Sequence, residues 1–361
     1  MPLPRGLCGD EGDDGSYPTR ELASAGVGCD LGAARLCDGG GSEAMITPVD
    51  EAARSVSRGD DAIDLGGKRR VMEMLVERAL FAAGAASVLT TLAIVAVLLR
   101  ESAAFFGNPQ VRVIDFLTGT EWQPHIQLFG IWPLLSATFM VTAIAMAVAL
   151  PLGLLAAIYL SEYASDRVRA VLKPLLEVLA GVPTVVYGYF ALTFVTPILQ
   201  GVLGPRTVNV YNLASAGIVV GILIIPLVAS LSEDALHAVP RELREAAYGV
   251  GATRFETSLR IVVPAALSGI AAAFILAVSR AAGETMVVAV AAGAGPNLTL
   301  NPFRSAETIT GHIVRISGGD LSYNSPDYQS IFGLALVLFF VTLGLNILSD
   351  RIVRRFREVY E

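Results

Sequence analysis

Seven stretches of this chain run 19 residues or more without an Asp, Glu, Lys or Arg: 79–99, 122–161, 178–205, 207–232, 261–279, 285–303 and 328–349. A helix needs about 20 mostly apolar residues to cross a bilayer, so each run can hold one span. The fifth and sixth are one span interrupted by Arg280 and Glu284. This predicts six helices near 77–99, 132–160, 175–200, 212–232, 264–293 and 328–350, an all-α polytopic membrane protein. The early part of the second run, with Trp122, Pro124, His125, Gly130 and Trp132, reads as loop, its aromatics fitting a belt at the membrane surface. Composition agrees. The 361 residues are 53% hydrophobic and 16% charged, with mean hydropathy +0.60, which excludes an ordinary soluble protein of this length.

Six spans put both termini on one side, and the basic residues choose the side. The segments shared with the termini, around Lys68, Arg167, Arg241 and Arg351, carry 15 Lys and Arg, against 5 in the opposite set (Arg100, Arg112, Arg206, Arg304, Arg315). By the positive-inside rule, both termini and the loop at 233–264 are expected in the cytoplasm of a multi-pass inner-membrane protein.

The net charge of −7 is a property of the beginning of the chain. Residues 1–67 hold 13 acidic residues against 5 arginines, with no sustained apolar periodicity, and are expected to be a disordered acidic tail. The rest, 68–361, forms the span-bearing domain. Met45 and Met72 are alternative starts, and no cleaved signal peptide is expected near Met1. Cys8, Cys29 and Cys37 all lie in the tail, at spacings that match no zinc or disulfide framework.

Chemistry of catalysis is absent from the pattern. There is no GxxxxGK[ST] phosphate loop, so the chain is not expected to hydrolyse ATP, and His125, His237 and His312 fall on different segments without metal-ligand spacing. No enzyme activity, cofactor, metal or nucleic-acid partner is expected.

The informative stretch is the charged island from Pro240 to Pro264 between two apolar runs. Pro240 suits a helix start, Arg241 to Val250 contains good helix formers, and Gly249 and Gly251 offer a stop. Leu243 and Ala247 share a face, with Ala246 and Val250 adjoining, and such a helix can dock in a partner's groove. Glu245, Ala246 and Ala247 are followed after three residues by Gly251, and after nine more by Ile261, a spacer, Val263 and Pro264. This is the EAA-x3-G-x9-I-x-L-P pattern, with Val in the Leu position. It resembles the coupling loop of ABC-importer permeases, the membrane subunits driven by a separate ATPase.

Two further stretches resemble the permeases of the phosphate-specific importer. The third span contains Leu179 to Gly188 (LAGVPTVVYG), and the fifth contains Ser279 to Met286 (SRAAGETM), whose continuation into valines is closer to the PstC type than the PstA type. The resemblance spans about residues 72–361. It implies a type I ABC importer permease fold, phosphate as substrate, and partners: a sister permease of the PstA type, two copies of a cytoplasmic ATPase, and an extracytoplasmic phosphate-binding protein, all around a subunit embedded in membrane lipid. Other readings stay open, namely an importer of sulfate or molybdate, or an ion-coupled secondary carrier without an ATPase.

The residues fit a path through the membrane. Gly181 and Pro183 can break the third helix, and broken backbone at membrane depth lines a cavity or is buried in protein. Thr184, Tyr187 and Tyr189 would offer hydroxyls there, and Thr285 of the fifth span is a further candidate for the substrate path. Arg280, 16 residues beyond Pro264, would stand about 24 Å up an unbroken helix, with a donor fork suited to an oxyanion. Glu284 at i+4 is expected to pair with it, either orienting it toward substrate or forming a static pair with it.

Overall fold

The computed structural model describes residues 66–319 and 325–356. The chain divides into two units, Met1–Leu75 and Val76–Glu361. Apart from Gly66 and Gly67, the expected tail lies outside the described residues.

Helix α1 (Gly66–Phe106) is 41 residues long, about 60 Å of rise, longer than a hydrocarbon layer is thick. Its apolar window contains no buried residue. Leu80, Phe81, Leu89 and Ile94 all face outward, the surface a helix offers to lipid. Its far end is anchored. Ser102 Oγ donates to Phe332 O at 2.8 Å, and Phe105 is fully buried, edge-on to Phe106, Phe116 and Phe129.

Phe116 comes from α2 (Val113–Thr118) and Phe129 from a small antiparallel hairpin, β1 (Trp122–Gln123) against β2 (Leu128–Phe129), in which Trp122 faces Phe129. The expectation of a surface aromatic belt is corrected for Trp122. It is 2% exposed and packs inside this aromatic cluster, whereas Trp132 is 45% exposed. Apolar and aromatic neighbours close in sequence (Phe105, Val111, Phe116) gave Trp122 a protein surface to bury against.

The centre of the bundle is a pair of parallel helices, Ile144 lying against Gly217, Val148 against Gly221 and Gly153 against Val228. One is α3 (Trp132–Ile158), prolonged by a π-helical turn at Tyr159–Tyr163. The chain then forms α4 (Asp166–Ala180), breaks at 181–183, and crosses as α5 (Thr184–Phe190), a π-helical turn at Ala191–Val195 and α6 (Thr196–Leu203). The second member of the pair, α7 (Leu213–His237), starts at a buried Asn212 whose Oδ1 accepts from Ser215 N–H at 2.7 Å, the usual way to satisfy an orphan helix donor. Small residues let α3 and α7 approach closely: Ala137, Val141, Ala145 and Ala149 form an i, i+4 stripe against Ala216, Val219, Val220 and Leu223. A Cβ on Gly217 would meet Ile144 at 2.8 Å, and one on Gly221 would meet Ala145 O at 2.8 Å.

Next come α8 (Arg241–Gly249), then α9 (Arg254–Thr257), a π-helical turn at Ser258–Val262, α10 (Val263–Ala265) and α11 (Leu267–Ala282). The chain bends by 71° between Ala265 and Leu267. Short α12 (Met286–Ala291) and α13 (Ile309–Ser317) precede the last long helix, α14 (Pro326–Phe356). Among the described residues, five helices are long and apolar enough to cross a membrane, and six if the bent pair counts as one span. The expected single helices at 175–200 and 264–293 are each broken, at Gly181–Pro183 and at Gly283–Thr285. Gly181 and Pro183 end the hydrogen-bond ladder at the first place, and the helix stops at Gly283 at the second.

Candidate functional site

One end of the bundle carries α8, the other the hairpin, and between them the two helix breaks face a shared region. At the loop end, α8 starts after Pro240, as the proline predicts, and stops at Gly249, with Gly251 at φ +87°, where a side chain would be strained. Thr253 and Glu256 then form a reciprocal capping box that opens α9.

The apolar face of α8 is turned the other way from expectation. Ala247 is 3% exposed, and Leu243 packs into a cluster with Ala157, Leu236, Val239 and Val262. That face is spent on the chain's own spans, because the loop-end helix termini leave an apolar hollow there. Glu245, Ala246 and Val250 are exposed instead, as are Tyr248 and Phe255. Ile261 is half-buried in the π-helical turn, and Pro264 is exposed at the start of α10.

Charged side chains bind α8 and α4 to the central pair. Arg244 donates to Glu162 Oε1 from Nε at 3.2 Å and from Nη2 at 2.9 Å, to Val239 O from Nη1 at 2.6 Å, and to Leu236 O from Nη2 at 2.8 Å. On α7, Glu233 is fully buried and is met by both Arg169 and Lys173 of α4, the lysine at 2.8 Å. Lys173 also reaches Asp234 at 3.0 Å. None of these pairs was legible in the sequence. The one available signal was acids at the ends of apolar runs, Glu162 and Glu233, which had to find partners.

Deeper in, Tyr187 Oη donates across the Gly181 break to Leu179 O at 2.9 Å, and Thr184 is half-buried. Gly188 packs against Val287 and Val290, bringing the third-span break against the fifth. Thr285 Oγ1 donates to Gly283 O at 3.1 Å, bridging the second break.

The expected Arg280–Glu284 pair is corrected. The helix ends at Ala282, so the two residues are not one turn apart. Among the described residues, no ion pair or hydrogen bond joins Arg280 to a partner. Glu284 is 9% exposed; its Oε1 accepts from Val287 N–H at 3.4 Å, and its carbonyl accepts from Thr310 Oγ1 at 2.6 Å. Arg280 is exposed and lines a cavity of about 220 Å³ with Lys173, Glu177, Leu223, Pro226 and Ser230. Its height is also revised. The 71° bend removes the first stretch from the count, and the 13 residues from Leu267 give about 20 Å of rise.

At the hairpin end a second buried network closes the bundle. Trp122 Nε1 donates to His312 Nε2 at 3.1 Å, His312 Nδ1 lies 3.1 Å from Glu307 Oε2, and Arg315 donates to both Glu307 oxygens at 2.6 and 2.9 Å. The Trp122 bond requires the acceptor at Nε2, which places the proton on Nδ1 beside Glu307. Burial alone would raise the Glu307 carboxyl, but the hydrogen bonds from His312 and Arg315 outweigh it and hold it below the ordinary value of 4.5. The same bonds push the Arg315 guanidinium up. Among the described residues no cluster of His, Cys, Asp and Glu could hold a metal ion.

Residues 149–358 match the family model described as the binding-protein-dependent transport system inner membrane component. The probable ABC transporter permease protein YqgH of Bacillus subtilis is 34% identical over 247 residues, covering 67% of this chain and 79% of that protein. The phosphate transport system permease protein PstC of Mesorhizobium japonicum is 32% identical over 248 residues, covering 63% of this chain and 74% of that one. A crystal structure of a bacterial ABC transporter involved in the import of the acidic polysaccharide alginate aligns with TM-score 0.55 over 80% of this chain and 100% of its own, at 15% identity, a likeness of fold alone. Broken spans around a close central helix pair, the EAA loop held at one end of the bundle, and these matches agree: the chain belongs to the family of binding-protein-dependent transport system inner membrane components, as an ABC importer permease.

Proposed function

We propose that this chain is the PstC-type membrane subunit of an ATP-driven importer of inorganic phosphate, with Arg280 on the substrate path. The carrying observation is the state of Arg280. A guanidinium in a span is expensive in lipid and normally finds a counter-charge, yet this one is exposed beside a helix break and a cavity, with no partner among the described residues. An exposed cation at that depth belongs to a watery path or a subunit boundary, and its fork of donors suits a phosphate oxyanion. Tyr187, Thr184 and Thr285 stand at the two breaks and would line the same route, with Glu284 behind it. The relatives named as phosphate transport permeases support phosphate over sulfate or molybdate.

In this reading the loop end faces the cytoplasm, both termini lie there, and the exposed side of α8, with Glu245, Ala246 and Val250, docks on a separate ATPase. Gly251 turns the chain, and Ile261 and Pro264 carry the motion into the bent fifth span. A PstA-type sister permease completes the path, and a phosphate-binding protein delivers substrate at the hairpin end. Closure of the ATPase dimer would then tilt the spans and open the path alternately to each side.

The test is phosphate uptake in a strain lacking its own phosphate importers, with this chain and its partners supplied. Arg280→Gln is expected to lower uptake by about 10- to 100-fold, the loss of charge-assisted bonds to an anion. Its membrane abundance and ATPase association should stay normal, since Arg280 has no partner among the described residues to abandon. Wild-type uptake in Arg280→Gln sinks the path assignment, and uptake of sulfate in preference to phosphate sinks the substrate.

A further inference from the structure

We propose that Arg244 is the strut that makes α8 move as one body with the central helix pair, so that force applied to the loop reaches α3 and α7 directly rather than only along the chain into the fifth span. The inference rests on the proposed reading of α8 as the element an ATPase moves.

The geometry carries it. Arg244 sits one turn inside α8, and its guanidinium reaches two spans at once. On one side it makes two bonds to Glu162, in the π-helical turn that ends the α3 span; on the other it binds the carbonyls of Leu236, in the last turn of α7, and Val239, in the linker that follows. Ser161 Oγ adds a bond to the same Glu162 oxygen at 3.1 Å. The side chains of Arg244 and Glu162 are 16% and 6% exposed, so water competes weakly for these contacts. Carbonyls in the last turn of a helix have no partner inside it, and a cation there is favoured by the helix dipole as well. Only a planar, forked donor can serve a carboxylate and two carbonyls together; a lysine ammonium can face one side or the other.

Leu243 and Ala247 place apolar contacts beside the strut, in the cluster with Ala157 and Leu236. The result is a three-way joint among α8, α3 and α7. Because α3 and α7 meet through Gly217 and Gly221 without room to slide, a displacement at α8 is delivered to the pair as a unit. Arg244 is thus a positioning residue. It touches neither substrate nor nucleotide.

The experiment uses the assembled transporter in vesicles. With the native cysteines Cys8, Cys29 and Cys37 replaced, spin labels are attached through Glu242→Cys, exposed in the first turn of α8, and Tyr163→Cys, at the end of the α3 span. A rigid strut predicts one narrow distance distribution, unchanged between the nucleotide-free and ATP-bound states. A shift between the two states beyond the labels' own spread overturns the proposal without any change at Arg244. In Arg244→Lys the distribution should broaden, and phosphate moved per ATP hydrolysed should fall on the order of tenfold, while basal hydrolysis by the associated ATPase persists. A merely structural role would lower the yield of complex but leave that ratio intact. A wild-type ratio in Arg244→Lys refutes the strut. If the lysine variant fails to assemble, the wild-type distance measurement still decides. Absence of phosphate uptake in the unmodified complex would instead refute the functional reading and leave the distance test standing.

Discussion

Replacing Gly221 by alanine should pry apart the central helix pair. A Cβ at this position would lie 2.8 Å from Ala145 O and from Val148 Cβ, while ordinary contact begins at 3.4 Å, so α3 and α7 must separate locally by about 0.6 Å. The near atoms include backbone, which cannot rotate out of the way. A gap of that size forfeits roughly a quarter to a half of the dispersion well for each atom pair across the contact, and overpacking of a close-fitted core costs about 1–3 kcal/mol. Alanine is also a better helix former than glycine by about 0.8–1.0 kcal/mol, which masks part of the loss. Gly201→Ala is the matching control. Gly201 lies in α6, and a Cβ added there would meet nothing within 4 Å, so this variant collects the propensity gain without the clash. The difference between the two variants isolates the steric term, and Gly221→Ala should be less stable than Gly201→Ala by about 1–3 kcal/mol in reversible detergent unfolding. Equal stability would refute the view that small residues set the α3–α7 distance.

Gly251 tests the loop, since at φ +87° a left-handed backbone costs a side chain about 1–2 kcal/mol. Gly251→Val should lose ATPase copurification and uptake while Gly251→Asn retains most of both; equal behaviour of the two would show that backbone conformation is not the constraint. The hairpin-end network should respond to acid. Glu307 binds its proton more weakly in the folded protein than in the unfolded chain, so its contribution to stability is complete above the ordinary value of 4.5 and is lost as pH falls through the lower folded value. Glu307→Gln should therefore flatten the acid limb of a stability–pH profile, and an unchanged slope below pH 4.5 would count against the assignment.

The sequence carried the architecture because a bilayer leaves few choices. Long uncharged runs must form helices whose backbone bonds are satisfied internally, so the span count, the break at Gly181–Pro183 and the start of α8 at Pro240 could be read from residue types, whereas the break at Gly283 could not. The EAA spacing likewise marked Glu245, Ala246, Gly251 and Pro264, because it is a local pattern. What the sequence did not decide was direction and partnership. It suggested that Leu243 and Ala247 face a partner, but they face the chain's own spans; it paired Arg280 with Glu284, but the helix stops between them and only Glu284 is buried. Arg244 meets Glu162 across 82 residues, and Trp122 meets His312 across 190. Helical periodicity states which residues share a face, yet the neighbour toward which that face turns is set by how separate helices pack, and that is decided only when distant charges must be paired and apolar hollows filled in three dimensions.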